Sequence, residues 1–237
     1  MSKQGSFSAP PQVLSLHGLL SDFDGTIIDS TDAIVKHWHQ IGKELGVDPQ
    51  TILATSHGRR SIDTMQLYDK SKANWEWVSA VEGRIPREYG SDAKEIPGAR
   101  SLLSSLDEAG ARWGVVTSGT RALVDGWLDV LGLTHPRMLV VAEDVEQGKP
   151  DPGCYLLGRE RLGLSGSENE VVVLEDAPSG IRAGKAAGFK VLALTSTHSL
   201  EQCLEAGADL VVEDLRSVSV KGVEDGRLLL EVRNAYQ

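Results

Sequence analysis

The sequence predicts an α/β protein built on a doubly wound parallel sheet, with a helical domain inserted after the first strand. After residue 97, short apolar runs alternate with amphipathic stretches, the order expected when crossover helices join parallel strands. Between residues 30 and 96 only helical periodicity is found, and Pro97-Gly98 marks the return to the sheet. Together these patterns indicate one sheet domain interrupted by one helical insertion.

Each predicted strand is a short apolar run bounded by turn residues. The strands are Leu16–Asp22, Trp113–Thr117, Met138–Ala142, Val171–Leu174, Val191–Leu194 and Asp209–Val212. The helices between them are Ala99–Glu108, Arg121–Val130, Pro152–Leu162, Ser179–Ala187 and Leu200–Ala206. Four of these helices are followed by glycines that suit the left-handed position at a helix end: Gly110, Gly163, Gly188 and Gly207. Alternating polarity on both sides of Asp225-Gly226 predicts a hairpin at the C-terminus.

The helical insertion is predicted from apolar residues at helical spacing. Ile34, Trp38, Ile41 and Leu45 recur at intervals of four and three, and Gly46 follows them. The chain before residue 15 is rich in Gly, Ser and Pro. We therefore expect a disordered tail over residues 1–14, a sheet domain over residues 15–29 and 97–237, and a helical domain over residues 30–96.

Composition limits the classes of protein to consider. A chain of 237 residues with 41% hydrophobic and 24% charged residues is typical of a globular protein with a sizeable core. Its formal net charge of −10 argues against a nucleic-acid partner, because such binding depends on Lys and Arg. Cys154 and Cys203 form neither a disulfide framework nor a zinc spacing. Without a secretory pattern or a run of about 18 apolar residues, we expect a cytoplasmic protein with no membrane span.

The segment from Ser21 to Ser30 carries the first candidate site. Asp22 and Asp24 follow an apolar run at a spacing that puts both side chains on one side of a strand. Gly25 allows a sharp turn, so that backbone groups can approach a ligand closely. Two such carboxylates can hold a divalent cation beside an electrophile, although an ordinary turn with an Asx hydrogen bond also fits this segment.

Three further segments follow apolar runs in the same way. Thr117-Ser118-Gly119 offers hydroxyl and amide donors for an anion, Lys149 lies in a proline-rich turn, and Glu175-Asp176 ends a buried strand. Taken singly, each fits an ordinary role: a helix cap, a loop lysine or a solvated strand end. Because parallel strands gather their carboxyl ends at one edge, the four segments together predict a single phosphoryl-transfer site.

These four segments, in this order, resemble the signature motifs of the haloacid dehalogenase superfamily over about Leu14 to Leu215. Within it the chain is most similar to fungal sugar-phosphate and polyol-phosphate phosphatases, of the glycerol-phosphate and 2-deoxyglucose-6-phosphate types. The resemblance is carried by residues 56–60, 82–86, 116–121, 148–152 and 175–181. It implies a Rossmann-like core, a helical cap over the site, Mg²⁺ as cofactor and a small phosphate ester as substrate. Ser21 departs from the pattern, since a bulky apolar residue is usual there.

The resemblance also implies roles for the residues of these motifs. Asp22 would attack phosphorus to form an aspartyl-phosphate, and Asp24 would act as general acid and then as general base. Mg²⁺ would be held by Asp22, the Asp24 carbonyl and Asp176, with Glu175 acting directly or through water. The phosphoryl oxygens would be stabilised by Thr117, Lys149 and the amides of Ser118 and Gly119.

The insertion supplies candidates for substrate binding. In the family that this chain resembles, the loop containing Arg59 and Arg60 reaches the substrate, and an arginine there can bind phosphate or hydroxyl groups. We expect Arg60 in the first place to do so, then Arg59, Glu82 and Arg121; a solvated basic loop is the alternative. A cap that moves by itself needs no partner subunit, so we expect a monomer.

Other functions stay open on the sequence. A phosphomutase of the same superfamily would share these motifs and return the phosphoryl group from Asp22 to its product. A dehalogenase would have no use for Asp24 as an acid or for the acids at positions 175 and 176. A receiver-type binding module also combines aspartates, a hydroxyl and a lysine, but it is shorter and lacks the insertion. An inactive regulator would not require all the catalytic residue types, which are present here.

Overall fold

The computed structural model describes residues 6–56, 58–166 and 170–237. Its strands are β1 (Gln12–Leu16), β2 (Gly18–Ser21), β3 (Ile28–Asp29), β4 (Lys94–Glu95), β5 (Trp113–Val116), β6 (Leu139–Val140), β7 (Val171–Glu175), β8 (Lys190–Leu194), β9 (Leu210–Val212), β10 (Val218–Glu224) and β11 (Arg227–Val232). Its α-helices are α1 (Thr31–Leu45), α2 (Pro49–Ser56), α3 (Ser61–Tyr68), α4 (Trp75–Glu82), α5 (Ile85–Tyr89), α6 (Ala99–Glu108), α7 (Arg121–Leu131), α8 (Gly153–Arg161), α9 (Pro178–Ala186) and α10 (Leu200–Glu205). None of these helices is both long and apolar enough to cross a membrane.

Six strands form the parallel sheet, in the spatial order β6-β5-β2-β7-β8-β9. Leu19 and Leu20 of the central strand β2 point to opposite faces, and each lies in a separate apolar cluster that packs the helices of its face. The chain leaves β2 toward β5 and β6, then crosses to β7 on the other side. The predicted doubly wound sheet is therefore confirmed, and its switch point lies at the carboxyl end of β2.

The insertion between β3 and β4 carries five α-helices, α1 to α5. Strands β3 and β4 pair antiparallel at its base, a short pairing that periodicity did not predict. Trp38, Ile41, Ile52 and Met65 form an apolar cluster of its own. Helix α5 instead packs against the sheet domain: a Cβ on Gly126 of α7 would lie 2.8 Å from the ring of Pro86.

The N-terminal segment differs from the predicted disordered tail. Strand β1 pairs antiparallel with β11, which pairs with β10 to form a three-stranded sheet. Phe7 bridges to Tyr236, and their rings meet edge to face. The prediction of disorder was therefore wrong for residues 6–14, because Leu14 is buried against the C-terminal hairpin, more than 200 residues away along the chain. Residues 1–5 lie outside the described part of the chain.

The predicted C-terminal hairpin is present. Asp225 and Gly226 connect β10 to β11, and both have positive φ (50° and 76°), as a two-residue hairpin turn of type I′ requires. The predicted strand Leu16–Asp22 is broken at His17, so that β1 joins the small sheet and β2 the large one.

Candidate active site

The carboxyl ends of the sheet strands bring the predicted motifs to one place. Asp22 follows β2, Thr117 follows β5, and Glu175 ends β7. A cavity of about 110 Å³ lies between this edge and the helical insertion. Its lining includes Asp22, Asp24, Thr117, Ser118 and Gly119 from the sheet domain, and Arg59 and Glu82 from the insertion.

Lys149 lies directly behind Asp22. Its Nζ is 2.5 Å from Asp22 Oδ1 and 2.7 Å from Glu175 Oε1, and it also donates to the carbonyl of Val116 at 3.2 Å. The side chain is 2% exposed. Burial alone would lower the pKa of Lys149, but the carboxylates of Asp22 and Glu175 hold it above its ordinary value. Lys149 is therefore a fixed ammonium beside the Asp22 carboxylate.

Glu175 is held by four hydrogen bonds. Its Oε1 accepts from Lys149 and from the hydroxyl of Tyr155, at 2.7 and 3.0 Å. Its Oε2 accepts from the amides of Asp176 and Ala177, both at 2.8 Å. Tyr155 lies fully buried on α8. The sequence did not predict it as a site residue, because an aromatic residue within a predicted helix is typical of the core. With both oxygens engaged, Glu175 serves to hold Lys149 in place.

Asp176 is fully buried and is held by two hydroxyls. Thr26 donates to Oδ1 at 3.1 Å, and Thr197, which follows β8, donates to Oδ2. Gly25 passes directly over this carboxylate at φ +88°, and a Cβ there would lie 2.2 Å from Oδ2. Only glycine fits this position. Thr197 was missed because no local pattern marks it.

The carboxylates of Asp22, Glu175 and Asp176 form an acidic cluster whose ligand atoms lie within 4.8 Å of one another. Burial raises the pKa of Asp22; Lys149 lowers it, and Glu175 and Asp176 raise it again. Three buried acids facing one ammonium leave an excess of negative charge. Oxygen donors at this spacing fit a divalent cation, which would offset that excess.

Asp24 lines the cavity two residues after Asp22. It is half-buried, and its Oδ1 accepts from the hydroxyl of Ser30 at 2.6 Å. The Thr117 hydroxyl accepts from the amide of Gly119 at 3.0 Å, which folds the Thr117–Gly119 turn around the cavity. A carboxyl group that faces the cavity, separate from the Asp22–Lys149 pair, is placed to exchange a proton with a bound molecule.

The insertion closes the cavity with a loop and a carboxylate. The carbonyl of Gly58 accepts from the hydroxyls of Ser118 and Ser179, at 3.0 and 3.3 Å. Glu82 Oε1 accepts from Ser61 at 2.5 Å, and Oε2 accepts from the amide of Thr120 at 2.8 Å. Burial raises the pKa of Glu82 to about 7, although these hydrogen bonds lower it.

Comparison with known proteins agrees with this geometry. The sequence profile described as haloacid dehalogenase-like hydrolase matches residues 19–194. The chain belongs to this family. It is 40% identical to glycerol-1-phosphate phosphohydrolase 2 of Saccharomyces cerevisiae, over 90% of this chain and 88% of that one. It is 35% identical to 2-deoxyglucose-6-phosphate phosphatase 1 of the same organism, over 91% and 94%. A hydrolase from Pseudomonas syringae, 23% identical, shares the fold with a TM-score of 0.72 over 84% and 94% of the two chains.

Two residues expected to bind substrate in this haloacid dehalogenase-like hydrolase lie elsewhere. Arg60 is 5% exposed, and its guanidinium bonds to Asp63 and to backbone carbonyls of residues 142–146, in a crevice beside the cavity. Arg121 is exposed at the start of α7 and does not line the cavity. Its amide donates to the carboxylate of Glu143. Neither Arg60 nor Arg121 lines the cavity that Asp22 lines, so the structure does not bring these two residues to the place where substrate contact is expected.

Arg59 and Glu82, two further residues predicted to bind substrate, do line the cavity. Both line the cavity on the side opposite Asp22, one as a cation and one as a carboxyl group. Trp38 and Leu53 provide the apolar part of the same wall. This wall offers both hydrogen-bonding groups and apolar surface to a bound molecule.

Proposed function

We propose that this protein is a Mg²⁺-dependent phosphatase that hydrolyses small polyol or sugar phosphate monoesters, of the glycerol-phosphate or 2-deoxyglucose-6-phosphate type. The observation that carries the proposal is the Asp22 carboxylate, 2.5 Å from the buried ammonium of Lys149 and open to the cavity. Burial and the neighbouring acids raise the pKa of Asp22, whereas Lys149 lowers it and so favours the charged, nucleophilic carboxylate. The named activities of the yeast relatives support the same substrate class.

The reaction follows from the positions of two aspartates. Asp22 attacks phosphorus, its new O–P bond replaces the bond to the leaving alkoxide, and Asp24 gives a proton to that alkoxide. In the second step, Asp24 takes a proton from the water that attacks the aspartyl-phosphate. Phosphate leaves and the Asp22 carboxylate is regenerated. The hydrogen bond from Ser30 keeps Asp24 turned toward the cavity in both steps.

Mg²⁺ fits the acidic cluster through the Asp22 and Asp176 carboxylates and the backbone carbonyl of Asp24. Glu175 already accepts four hydrogen bonds. We therefore propose that Glu175 holds Lys149 in place and contacts the cation only through water. When bound, the cation supplies positive charge beside the phosphoryl oxygens, so that the anionic ester can approach Asp22. The Thr117 hydroxyl and the amide of Ser118 are proposed as donors for those oxygens. Lys149 and the amide of Gly119 already donate within the protein, so Lys149 contributes its positive charge and Gly119 supports the Thr117 turn.

The leaving group is bound by the insertion wall. Glu82 accepts hydrogen bonds from hydroxyl groups and Arg59 donates to them, while Trp38 contacts the carbon chain. A ligand that carries hydroxyls on a short carbon chain fits this combination of polar and apolar groups. We further propose that the protein acts as a monomer in the cytoplasm.

Phosphate release tests the proposal. We expect the purified protein with Mg²⁺ to release phosphate from glycerol phosphate, 2-deoxyglucose-6-phosphate or a hexitol phosphate, and to lose this activity when EDTA removes the cation. Asp22→Asn serves as the inactive control. Release no faster than that of the control across the panel would overturn the proposal, and conversion of one sugar phosphate into its isomer without free phosphate would identify a phosphomutase.

A further inference from the structure

Arg60 is a buried cation for which the proposed chemistry has no direct use. Its Nε and Nη2 donate to the two carboxylate oxygens of Asp63, both at 2.8 Å, in a bidentate pair one turn apart on α3. The remaining N–H groups donate to the carbonyls of Ala142, Val145 and Glu146, at 3.4, 2.7 and 3.0 Å. The five donors of the guanidinium therefore all have acceptors.

The segment that Arg60 holds leads directly to Lys149. Residues 142–146 belong to the sheet domain, and Gly148 follows two residues later. Gly148 lies against the Arg60–Asp63 pair, since a Cβ there would be 2.8 Å from Arg60 Nε and 2.9 Å from Asp63 Oδ2. The ion pair of the insertion thus packs against the backbone immediately before the catalytic lysine.

The opposite side of the guanidinium is closed by an aromatic ring. Arg60 Cζ lies 5.8 Å from the centre of the Trp75 ring, on the first residue of α4. Asp63 and Trp75 both belong to the insertion, whereas the three carbonyls belong to the sheet domain. Arg60 is therefore held in orientation by one domain and binds the backbone of the other.

We infer that Arg60, oriented by Asp63, is a positioning residue for Lys149. By binding residues 142–146, Arg60 links docking of the helical insertion to the placement of the catalytic ammonium against Asp22. This inference rests on the proposed function. The hydrogen bonds to residues 142–146 exist only while the insertion is docked. Lys149 therefore reaches its position in the closed site and loses that support when the insertion moves away.

The neighbouring arginine provides a matched control. Arg59 has the same charge and lies in the same loop, but it is exposed and lines the cavity. A residue that binds the substrate and a residue that supports the catalytic lysine affect different kinetic constants. Loss of the first weakens substrate binding, whereas loss of the second slows the chemical step. Arg59→Met should therefore raise KM, and Arg60→Met should lower kcat.

The experiment measures kcat and KM of these two variants with the best substrate of the phosphate-release panel. For Arg60→Met we expect kcat to fall by about 10²-fold with KM within about threefold, as displacement of a catalytic group by about 1 Å would cause. Arg60→Lys should not restore kcat, since one ammonium cannot replace a planar fork. Gly148→Ala keeps the ion pair but pushes the backbone away from it, and we expect it to lower kcat as well.

Hydrogen exchange of residues 142–149, measured by mass spectrometry, provides a readout that does not depend on activity. We expect exchange in this segment to be faster in Arg60→Met than in the parent and unchanged in Arg59→Met. Unaltered exchange in Arg60→Met would overturn the inference, as would a rise in KM with kcat intact. An inactive parent protein would contradict the proposed function alone, since the exchange comparison would still decide the role of Arg60.

Discussion

The two walls of the cavity are held in place differently. On the sheet wall, the side chains of Lys149 and Glu175 bond to groups of the sheet domain, such as the Val116 carbonyl and the Tyr155 hydroxyl, and only the backbone before Lys149 is also held by Arg60 of the insertion. On the insertion wall, Glu82 and the Gly58 carbonyl are positioned by bonds that cross to the sheet domain, to Thr120 and Ser118. The groups assigned to chemistry are thus mostly fixed within one domain, whereas those assigned to recognition depend on how two domains dock.

This difference has a physical basis. The proposed nucleophile and its ammonium are 2.5 Å apart, and the ammonium is fixed by bonds to groups at the ends of β2, β5 and β7. A substrate must enter before it is enclosed, so the wall that recognises it belongs to an element able to move away. Four experiments test this difference between the two walls, and those with the strongest consequences for activity come first.

The largest effect is expected from the sheet wall itself. Asp22→Asn keeps the size of the side chain but removes the nucleophilic charge, so kcat should fall by more than about 10³-fold. Asp29→Asn is the matched control, because this half-buried carboxylate follows on the same segment and pairs with Lys94 outside the cavity. Steady-state kinetics on proteins of equal circular dichroism measures the difference. Substantial turnover by pure Asp22→Asn would refute the assignment of the nucleophile.

The next effect concerns the close approach of Gly25 to Asp176. In Gly25→Ala the new methyl group would lie 2.2 Å from the carboxylate, so Asp176 must move, and we expect kcat to fall by about 10²-fold together with weaker activation by Mg²⁺. Gly46→Ala is the control for backbone strain. Gly46 also has a positive φ of +67°, but no atom lies within 4 Å of the new methyl position, so this variant has the strain without the clash. Equal losses of activity in both variants would contradict the explanation.

The sheet wall could be predicted from sequence because its residues follow from topology. Asp22, Thr117 and Glu175 each end or follow an apolar run, and parallel strands bring such positions to one edge whatever the details of packing. Helix α6 was predicted with the bounds that the structure has, Ala99–Glu108, because Gly98 and Gly110 flank a clear amphipathic period.

The insertion wall could not be predicted to the same depth. Arg59 and Arg60 are adjacent and chemically identical, and only the packing of α3 decides which of them faces the cavity. The same limit applies to β1, whose partner β11 lies more than 200 residues away. Neither local periodicity nor a motif contains such information, because both contacts depend on how distant segments meet.

The third experiment tests the insertion wall. Above pH 7, where Glu82 is mostly ionised, the substrate hydroxyl loses a charged acceptor in Glu82→Gln. We therefore expect KM for glycerol phosphate to rise about tenfold there, while ethyl phosphate, which has no such hydroxyl, is hydrolysed as before. Glu143→Gln is the control, since Glu143 also accepts a hydrogen bond across the domains, from Ser79, and one within the sheet domain, from the amide of Arg121, but lies outside the cavity. An equal loss with both substrates would indicate that Glu82 only supports the fold.

The smallest effect concerns two buried titratable groups of the insertion whose pKa values move in opposite senses. Burial raises the pKa of Glu82 from 4.5 to about 7, so the folded state binds more protons than the unfolded state in that range. Its contribution to stability is present below pH 4.5 and is lost as the pH rises toward 7. Burial lowers the pKa of His37 from 6.5 to about 4, so its contribution is present above pH 6.5 and is lost as the pH falls toward 4.

Glu82 and His37 therefore change the free energy of unfolding in opposite directions over the pH range that they share. A variant of either residue should reveal the contribution of the other. In Glu82→Gln we expect the free energy of unfolding to rise more steeply with pH between 4.5 and 6.5 than in the parent, with His37 contributing about 3 kcal/mol at most, because of these two groups only His37 is left. In His37→Gln we expect it to fall over the same range. Urea unfolding at both ends of the range measures these slopes. If the free energy of unfolding had the same pH slope in both variants, the insertion would not keep these side chains buried. The insertion wall of the cavity would then be in contact with water.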